Sequence, residues 1–248
     1  DVATLEAELN TIFDDFIWAP GQIVWDDPAA IYKDDQKGRI GKAWMKKLAA
    51  LQSELLIESA YFVVPGSGVE NLKKLHERGV GIRVLTNSLV SNDVLAAHAG
   101  YADSRVDLLK NGVELYELRL NAGAVTKSGQ QSMLSGESKA ALHTKTMVFD
   151  RDAVFIGSFN LDPRSMDINT EAGLYVESSE LAAQVIEYMD VGVKPENSYR
   201  VILDEDGDLV WITENNGQEE RYTKDPGSSS WQRFKAGVIR ILPVKGQL

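Results

Sequence analysis

The chain has 248 residues, of which 44% are hydrophobic and 25% charged, as in an ordinary globular protein. It has no cysteine, which excludes disulfides, thiolate catalysis and cysteine-bound metal. The formal net charge of −11 argues against broad nucleic-acid binding, because affinity for phosphate backbones depends largely on lysine and arginine. His76, His98 and His143 lie far apart in sequence, so we do not expect a histidine-rich metal site. We expect no cofactor.

The charge is unevenly distributed along the chain. Residues 1–35 hold nine acidic residues and a single base, Lys33. Four bases and no acid occur from Pro226 to the end, namely Arg233, Lys235, Arg240 and Lys245. A basic, aromatic tail on an acidic protein differs from a basic DNA-binding face.

Residues 1–39 are predicted to be the tail of a preceding unit followed by a linker. Apolar residues at helical spacing occur up to Phe16. Pro20-Gly21 then breaks the pattern, and Asp26-Asp27-Pro28 is typical of a turn.

From residue 40 the apolar pattern alternates between helical and strand periods. The predicted elements are, in chain order, helix 40–52, strand 54–64, helix 69–78, strand 81–86, helix 92–110 and strand 113–118. This order is typical of a βαβ layer with crossover helices.

A second group of elements follows residues 121–141, which are rich in glycine and serine and predicted to be a surface loop. Further predictions are strands 144–149, 153–156 and 173–176, helix 180–189, and strands 199–203, 209–213 and 219–223. The last three strands indicate a β-meander. The sequence therefore predicts an α/β fold, with a mixed β-sheet flanked by helices in residues 40–192 and a small C-terminal β-meander extension in 193–248.

The most informative segment contains His143, Lys145 and Asp150 in the pattern H-x-K-x-x-x-x-D. His143 and Lys145 are two residues apart and so share a strand face. An imidazole can attack phosphorus and form a phosphohistidine, and a cation can stabilise the charge on phosphate oxygens. Taken alone, the two would be a polar strand-end histidine and an exposed strand lysine.

The sequence Gly157-Ser158-x-Asn160 follows and favours the catalytic interpretation. If the flanking strands form a hairpin, Ser158 and Asn160 would lie beside His143 and Lys145. There they could donate to phosphate oxygens or hold Lys145 in place, and Gly157 would permit a close approach. The alternative is ordinary turn chemistry.

Two carboxylates complete the candidate set. Glu171 could accept the Nδ1 hydrogen of His143 and fix the tautomer of the ring, or it could be a solvated residue at the start of a strand. We interpret Asp150 as a turn aspartate that braces its loop through hydrogen bonds and does not react.

The motif resembles the HKD motif of the phospholipase D superfamily, over roughly residues 40–190. The continuations FNLDPRS (159–165) and NTEAGL (169–174), and the meander sequence, resemble bacterial cardiolipin synthases of the C type. The resemblance implies a phospholipase D-like fold with His143 as the nucleophile or its general-acid partner, Lys145 as a phosphate-binding residue, Ser158 and Asn160 as supporting groups and Glu171 as the residue that orients the histidine. It also implies metal-free transfer of a phosphatidyl group, with phosphatidylethanolamine as the expected donor and phosphatidylglycerol as the acceptor.

Active sites in this superfamily combine two HKD motifs, whereas this chain has one. We therefore expect the chain to be a C-terminal half whose partner is a second HKD half, either a preceding half or another copy. The other expected partners are phospholipid substrates and the membrane surface, on the cytoplasmic side of the bacterial inner membrane, with no nucleic acid. A nuclease of the same superfamily and a non-catalytic supporting half-domain remain alternatives.

The C-terminal segment from Trp231 has Trp231, Phe234, Val238 and Ile241 on one helical stripe, interleaved with bases. Such a helix could lie in a membrane interface and contact anionic lipid. It could equally be a terminal helix packed on the domain.

Overall fold

A computed structural model describes residues 16–29, 40–120 and 141–241 of the chain, without the side chain of Ile241. The helices of this part are α1 (Ile40–Ala50), α2 (Gly66–Glu77), α3 (Leu95–Lys110), α4 (Pro163–Asp167), α5 (Ser179–Gly192) and α6 (Ser230–Ile241). Its strands are β1 (Gly21–Trp25), β2 (Glu54–Ser59), β3 (Gly81–Asn87), β4 (Val113–Leu118), β5 (Lys145–Phe149), β6 (Ala153–Gly157), β7 (Ala172–Glu177), β8 (Ser198–Leu203), β9 (Leu209–Asn215) and β10 (Gln218–Tyr222). The predicted helix before Phe16 and nearly all of the predicted loop 121–141 lie outside the described residues.

The strands form one mixed sheet in the order β1-β7-β6-β5-β2-β3-β4-β8-β9-β10. Strands β2, β3 and β4 are parallel neighbours, as the predicted crossover helices require, and the remaining pairs are antiparallel. This confirms the predicted α/β class with a mixed sheet flanked by helices.

The central strands are apolar on both faces because helices cover both. Leu55 and Ile57 of β2 belong to the larger core, which also contains the apolar sides of α1, α2 and α3. Leu56 points to the other face and packs in a smaller core with Ile186 and Met189 of α5.

Trp44 shows how α1 is fixed on the sheet. Its ring lies 5.1 Å from that of Phe149, 5.6 Å from that of Phe155 and 6.1 Å from that of Phe159. These aromatic contacts anchor α1 over β5 and β6, directly before the Gly157-Ser158 sequence.

Three departures from the sequence-based elements concern the sheet. Residues 21–25, predicted to be part of a linker, form the edge strand β1, which pairs with β7. Strand β2 ends at Ser59 and not at residue 64, so residues 60–65 form a loop at the carboxyl end of the strand. The β-meander continues the main sheet through the pairing of β4 with β8, so it extends the same layer.

Candidate active site

The residues of the motif converge on one edge of the sheet. Lys145 begins β5 opposite Ser59, the last residue of β2, and Gly157 ends β6 opposite Gly173 at the start of β7. The carboxyl ends of β2, β3 and β4 therefore meet the segments that carry His143, Ser158 and Glu171. This is the edge at which open α/β sheets commonly bind ligands.

His143 lies immediately before β5, and its side chain is exposed. The preceding residue, Leu142, is held by the buried Asn87: Leu142 N donates to Asn87 Oδ1 at 2.8 Å, and Asn87 Nδ2 donates to Leu142 O at 2.9 Å. Asn87 Nδ2 also donates to Ala60 O at 3.1 Å. The backbone beside His143 is thus fixed while the imidazole faces solvent. Sequence reasoning missed Asn87, although a polar residue at the end of an apolar strand is a usable signal.

Lys145 is only 8% exposed, and its Nζ donates to the carbonyl oxygen of His143 at 2.7 Å. Burial lowers the pKa of Lys145, and the carboxylates of Glu171, Asp162 and Asp93 oppose that shift. Among the described residues no carboxylate oxygen comes within ion-pair distance of Nζ. Lys145 is therefore a cation with nearby anions but without a direct ion pair, and it can still engage a phosphate.

Ser158 and Asn160 make different contacts from those predicted. Ser158 Oγ donates to Glu171 Oε2 and accepts from Ala172 N at 3.0 Å. Asn160 Oδ1 accepts from Tyr61 N at 3.4 Å, and its Nδ2 donates to no described residue. The hydroxyl group of Ser158 thus donates its hydrogen bond to Glu171, whereas the side-chain NH2 group of Asn160 remains able to donate to a ligand.

Glu171 is buried and accepts from three side chains: Ser158 Oγ, Ser165 Oγ at 2.8 Å and Asn169 Nδ2 at 3.2 Å. Within the described residues no hydrogen bond or ion pair joins it to the imidazole of His143. The predicted role of Glu171 in orienting that ring stays a prediction. What the contacts establish is a rigidly held carboxylate, whose charge partly offsets the lowering of the Lys145 pKa by burial.

Asp162 is a further buried carboxylate at the site that sequence reasoning missed. It caps α4 by accepting from Ser165 N at 2.7 Å, and Pro163 occupies the first helical turn. Burial raises the pKa of Asp162, and Glu171 contributes to the rise. The sequence D-P-R-S carries the signal, since an aspartate before a proline is typical of a helix N-terminus.

Asp150 and Gly157 support the edge from a distance. Asp150 Oδ1 accepts from Ser53 N at 2.7 Å and from Glu54 N at 3.0 Å, and these bonds join the β5–β6 turn to the start of β2. Burial would raise the pKa of Asp150, but these amide hydrogen bonds prevail and lower it. At Gly157 a Cβ atom would lie 2.4 Å from Ala172 O, so only glycine permits this approach.

A cavity of about 390 Å³ lies between α1, α2 and α4, with Asp162 in its wall. Its other walls are mainly apolar and include Trp44, Ile57, Phe62 and Leu161. Cavities of this size and character commonly bind the apolar part of a ligand.

The family is shown by comparison with known proteins. Residues 45–191 match the family model described as "Cardiolipin synthase, PLD-like domain". The chain belongs to this phospholipase D-like family, which confirms the resemblance drawn from the motif.

Individual relatives agree with this assignment. The chain is 38% identical to cardiolipin synthase C of Escherichia coli K12 over 92% of its own length and 48% of the relative. It is 26% identical to cardiolipin synthase B of Shigella flexneri over 62% of its own length and 31% of that protein. The chain therefore spans about half the length of the first of these curated relatives, and less of the second.

Solved structures show the same fold at low identity. Phosphatidylserine synthase of Haemophilus influenzae superposes with a TM-score of 0.58 at 16% identity, covering 92% of this chain and 48% of that one. The phospholipase D family member Nuc of Salmonella typhimurium gives a TM-score of 0.52 at 16% identity, covering 74% of this chain and 99% of that one.

Proposed function

We propose that the chain supplies one of two half-sites for phosphatidyl transfer between phospholipids, with His143 as the residue that becomes phosphorylated. The observation that carries the proposal is the exposed imidazole of His143 next to Lys145, a nearly buried cation without an ion-pair partner in the described chain. Similarity to the cardiolipin synthases supports the same chemistry.

The reaction proceeds in two displacements at phosphorus. Nε2 of His143 attacks the phosphorus of the donor lipid, the bond to the headgroup oxygen breaks, and that oxygen takes a proton from an acid. A hydroxyl group of the acceptor lipid then attacks, loses its proton to the same group and displaces the histidine. Lys145 and the amide of Asn160 would stabilise the negative charge on the nonbridging oxygens.

The acid is the part that this half-site lacks, and the second half would supply it. General acid catalysis is often worth about 10²–10⁴ in rate, so the isolated half should be slow unless it pairs. A candidate surface for pairing is the exposed face of the outer strands, where Ile23, Leu174 and Ile156 are direct neighbours across β1, β7 and β6. Their exposed fractions are 66%, 43% and 47%, and such contiguous apolar patches are typical of interaction sites.

Two further observations favour a lipid over a nucleic acid as the substrate. The net charge of −11 opposes binding to a polyanion. The apolar cavity beside Asp162 offers a place for the acyl or glycerol part of a lipid, which a nucleic acid would not need.

The test is turnover of mixed phosphatidylethanolamine and phosphatidylglycerol vesicles, followed by mass spectrometry. His143→Ala serves as the blank, and His76→Ala, a change of an exposed histidine on α2, as the matched control. New cardiolipin from the chain and from His76→Ala, but not from the blank, would mean that two copies assemble a site.

If the chain alone is inactive, adding a preceding HKD half should restore turnover that depends on His143. Activity of the two-half protein that survives His143→Ala would refute the catalytic role and leave a supporting half-domain. Hydrolysis of DNA without lipid turnover would instead identify the nuclease alternative.

A further inference from the structure

The sequence left open whether helix α6 packs on the domain or presents an apolar side for a membrane interface, and the structure has features of both. One side packs on α3: Ala236 is buried, and Arg240 Nε lies 2.6 Å from Asp103 Oδ1. The opposite side carries an exposed apolar stripe, with Trp231 65%, Phe234 59% and Val238 42% exposed. The rings of Trp231 and Phe234 stack with their centroids 5.5 Å apart and so form one continuous apolar surface.

We infer that this stripe of Trp231, Phe234 and Val238 is a docking surface for an anionic lipid bilayer. Large aromatic side chains that remain exposed on a folded domain bury apolar area when they enter the headgroup region of a membrane. None of the described helices is long and apolar enough to cross a membrane.

Contacts with α3 on either side of the stripe hold the helix in this orientation. Asp225, five residues before α6, accepts from Arg105 Nη2 of α3 at 2.9 Å. Near the end of the helix, Arg240 contacts Asp103 of α3. With both contacts in place, the aromatic side of α6 faces outwards.

The charge around the stripe matches an anionic partner. The chain as a whole has a net charge of −11, yet from Pro226 onwards it has four bases and no acid. Lys235 is exposed, and its Nζ lies 6.0 Å from the centroid of the Trp231 ring, at the rim of the apolar surface. Aromatic groups beside lysine are typical of segments that bind anionic lipid.

The position of α6 links this surface to the catalytic edge. A Cβ atom on Gly227, just before the helix, would be only 3.6 Å from Val90, which follows the carboxyl end of β3. The same loop carries Asp93, which accepts from the Tyr61 hydroxyl at 2.9 Å and influences the pKa of Lys145. The start of α6 thus lies on the same edge of the sheet as the phosphate site. A bilayer bound at Trp231 would contact the end of α6 that lies nearest to that edge.

Binding is tested with the 248-residue chain by co-sedimentation with vesicles of phosphatidylcholine alone and of phosphatidylcholine with phosphatidylglycerol. The double variant Trp231→Ser/Phe234→Ser should lower the partition coefficient on the anionic vesicles by about tenfold or more. Trp18→Ser, which removes another exposed aromatic residue, is the matched control and should bind like the unchanged chain. Because no turnover is needed, failure here is separate from failure of the proposed chemistry.

Two further variants test the charge and the depth of contact. Lys235→Glu should weaken binding to the anionic vesicles about tenfold but leave binding to neutral vesicles nearly unchanged. The control variant Lys74→Glu, on α2, should bind both kinds of vesicle like the unchanged chain. Brominated lipid should quench tryptophan fluorescence of the chain, and Trp231→Phe should remove most of that quenching while preserving binding.

Equal losses of vesicle binding in Trp231→Ser/Phe234→Ser and in Trp18→Ser would overturn the proposal. Vesicle binding that is unchanged in all the α6 variants would also overturn it. A change in the oligomeric state of the lipid-free chain, caused by Trp231→Ser/Phe234→Ser without any change in vesicle binding, would assign the stripe to a protein interface. Loss of salt-sensitive binding to single-stranded DNA in the same variant, without loss of vesicle binding, would assign it to nucleic acid.

Discussion

At the scale of single residues, Glu58 on β2 is the least expected group. Its carboxyl group is buried under the end of α5, where a Cβ atom on Gly192 would lie 3.2 Å from Glu58 Oε1. Burial raises the pKa of Glu58 to about 7, although the charge of Arg83 opposes the rise. Its Oε2 has no hydrogen-bond partner among the described residues, so the charge of Arg83 compensates ionisation only in part.

This gives a prediction for the pH dependence of stability. In the unfolded chain Glu58 ionises near its ordinary pKa of 4.5, whereas in the folded chain it keeps its proton up to about pH 7. The contribution of Glu58 to the stability of the folded state should therefore fall as the pH rises from 4.5 to 7, by about 3 kcal/mol in total, and not change further above that. Thermal unfolding at pH 5 and pH 8 should show a smaller difference in Glu58→Gln than in the unchanged chain. Glu77→Gln, which changes an exposed glutamate on α2, should retain the original difference.

At the scale of secondary-structure elements, the junction of β6 and β7 positions the site. Gly157 pairs with Gly173, and a Cβ atom on Gly157 would lie 2.4 Å from Ala172 O and 2.7 Å from Gly173 Cα. These are backbone atoms and cannot move without separating the two strands. Because Ser158 and Glu171 flank this pair, the geometry of the site depends on the spacing of the strands.

We expect Gly157→Ala to lower the free energy of unfolding by about 2 kcal/mol or more and, under the proposed function, to reduce phosphatidyl transfer. Gly21→Ala on β1 is the matched control, because its nearest atoms would lie at an ordinary contact distance of 3.5 Å. In a urea titration, the free energy of unfolding of the control should stay within about 0.5 kcal/mol of that of the unchanged chain. Equal stabilities for the two variants would mean that the strands tolerate separation.

At the scale of the whole molecule, a buried charge network connects α3, β4 and β9 with the segment before α6. Arg105 on α3 is 2% exposed, and its Nε lies 3.1 Å from Glu117 Oε1 on β4. Trp211 on β9 donates from Nε1 to Glu117 Oε2 at 3.0 Å, and Asp225 contacts the same arginine. The guanidinium group of Arg105 thus links Glu117 of the central sheet to Asp225 before α6, in addition to the pairing of β4 with β8 that joins the meander to the sheet.

Replacing that group tests the role of the network. Arg105→Met should cost about 3–5 kcal/mol in unfolding free energy, because it leaves the carboxylate of Glu117 buried and unpaired. Arg151→Met, which breaks the exposed ion pair with Glu54, should cost less than about 1 kcal/mol. Hydrogen exchange should increase across α6 in Arg105→Met alone, and unchanged exchange there would contradict the network as the anchor of the helix.

Much of the fold was predictable from local patterns, and the reason lies in how those patterns arise. The period of apolar residues identifies α2, β3, α3 and β4 almost at their observed bounds, because one side of each element has to face the core. β1 was missed because it is a five-residue edge strand with little burial, and its pairing with β7 adds no local signal. Helix α4 was missed because five residues are too short to show a period.

The candidate site likewise has features that local sequence predicts and features that it does not. The sequence by itself determined which chemistry to expect, since the residue types and spacing at His143, Lys145 and Asn160 are those that a phosphodiester reaction would need and do not depend on distant parts of the chain. Only the tertiary structure decided the partners of these groups. It placed Ser158 and Ser165 on Glu171, and Asn87 beside the backbone before His143. Such contacts join separate elements, and strand register and packing against the core select them, which no local pattern encodes.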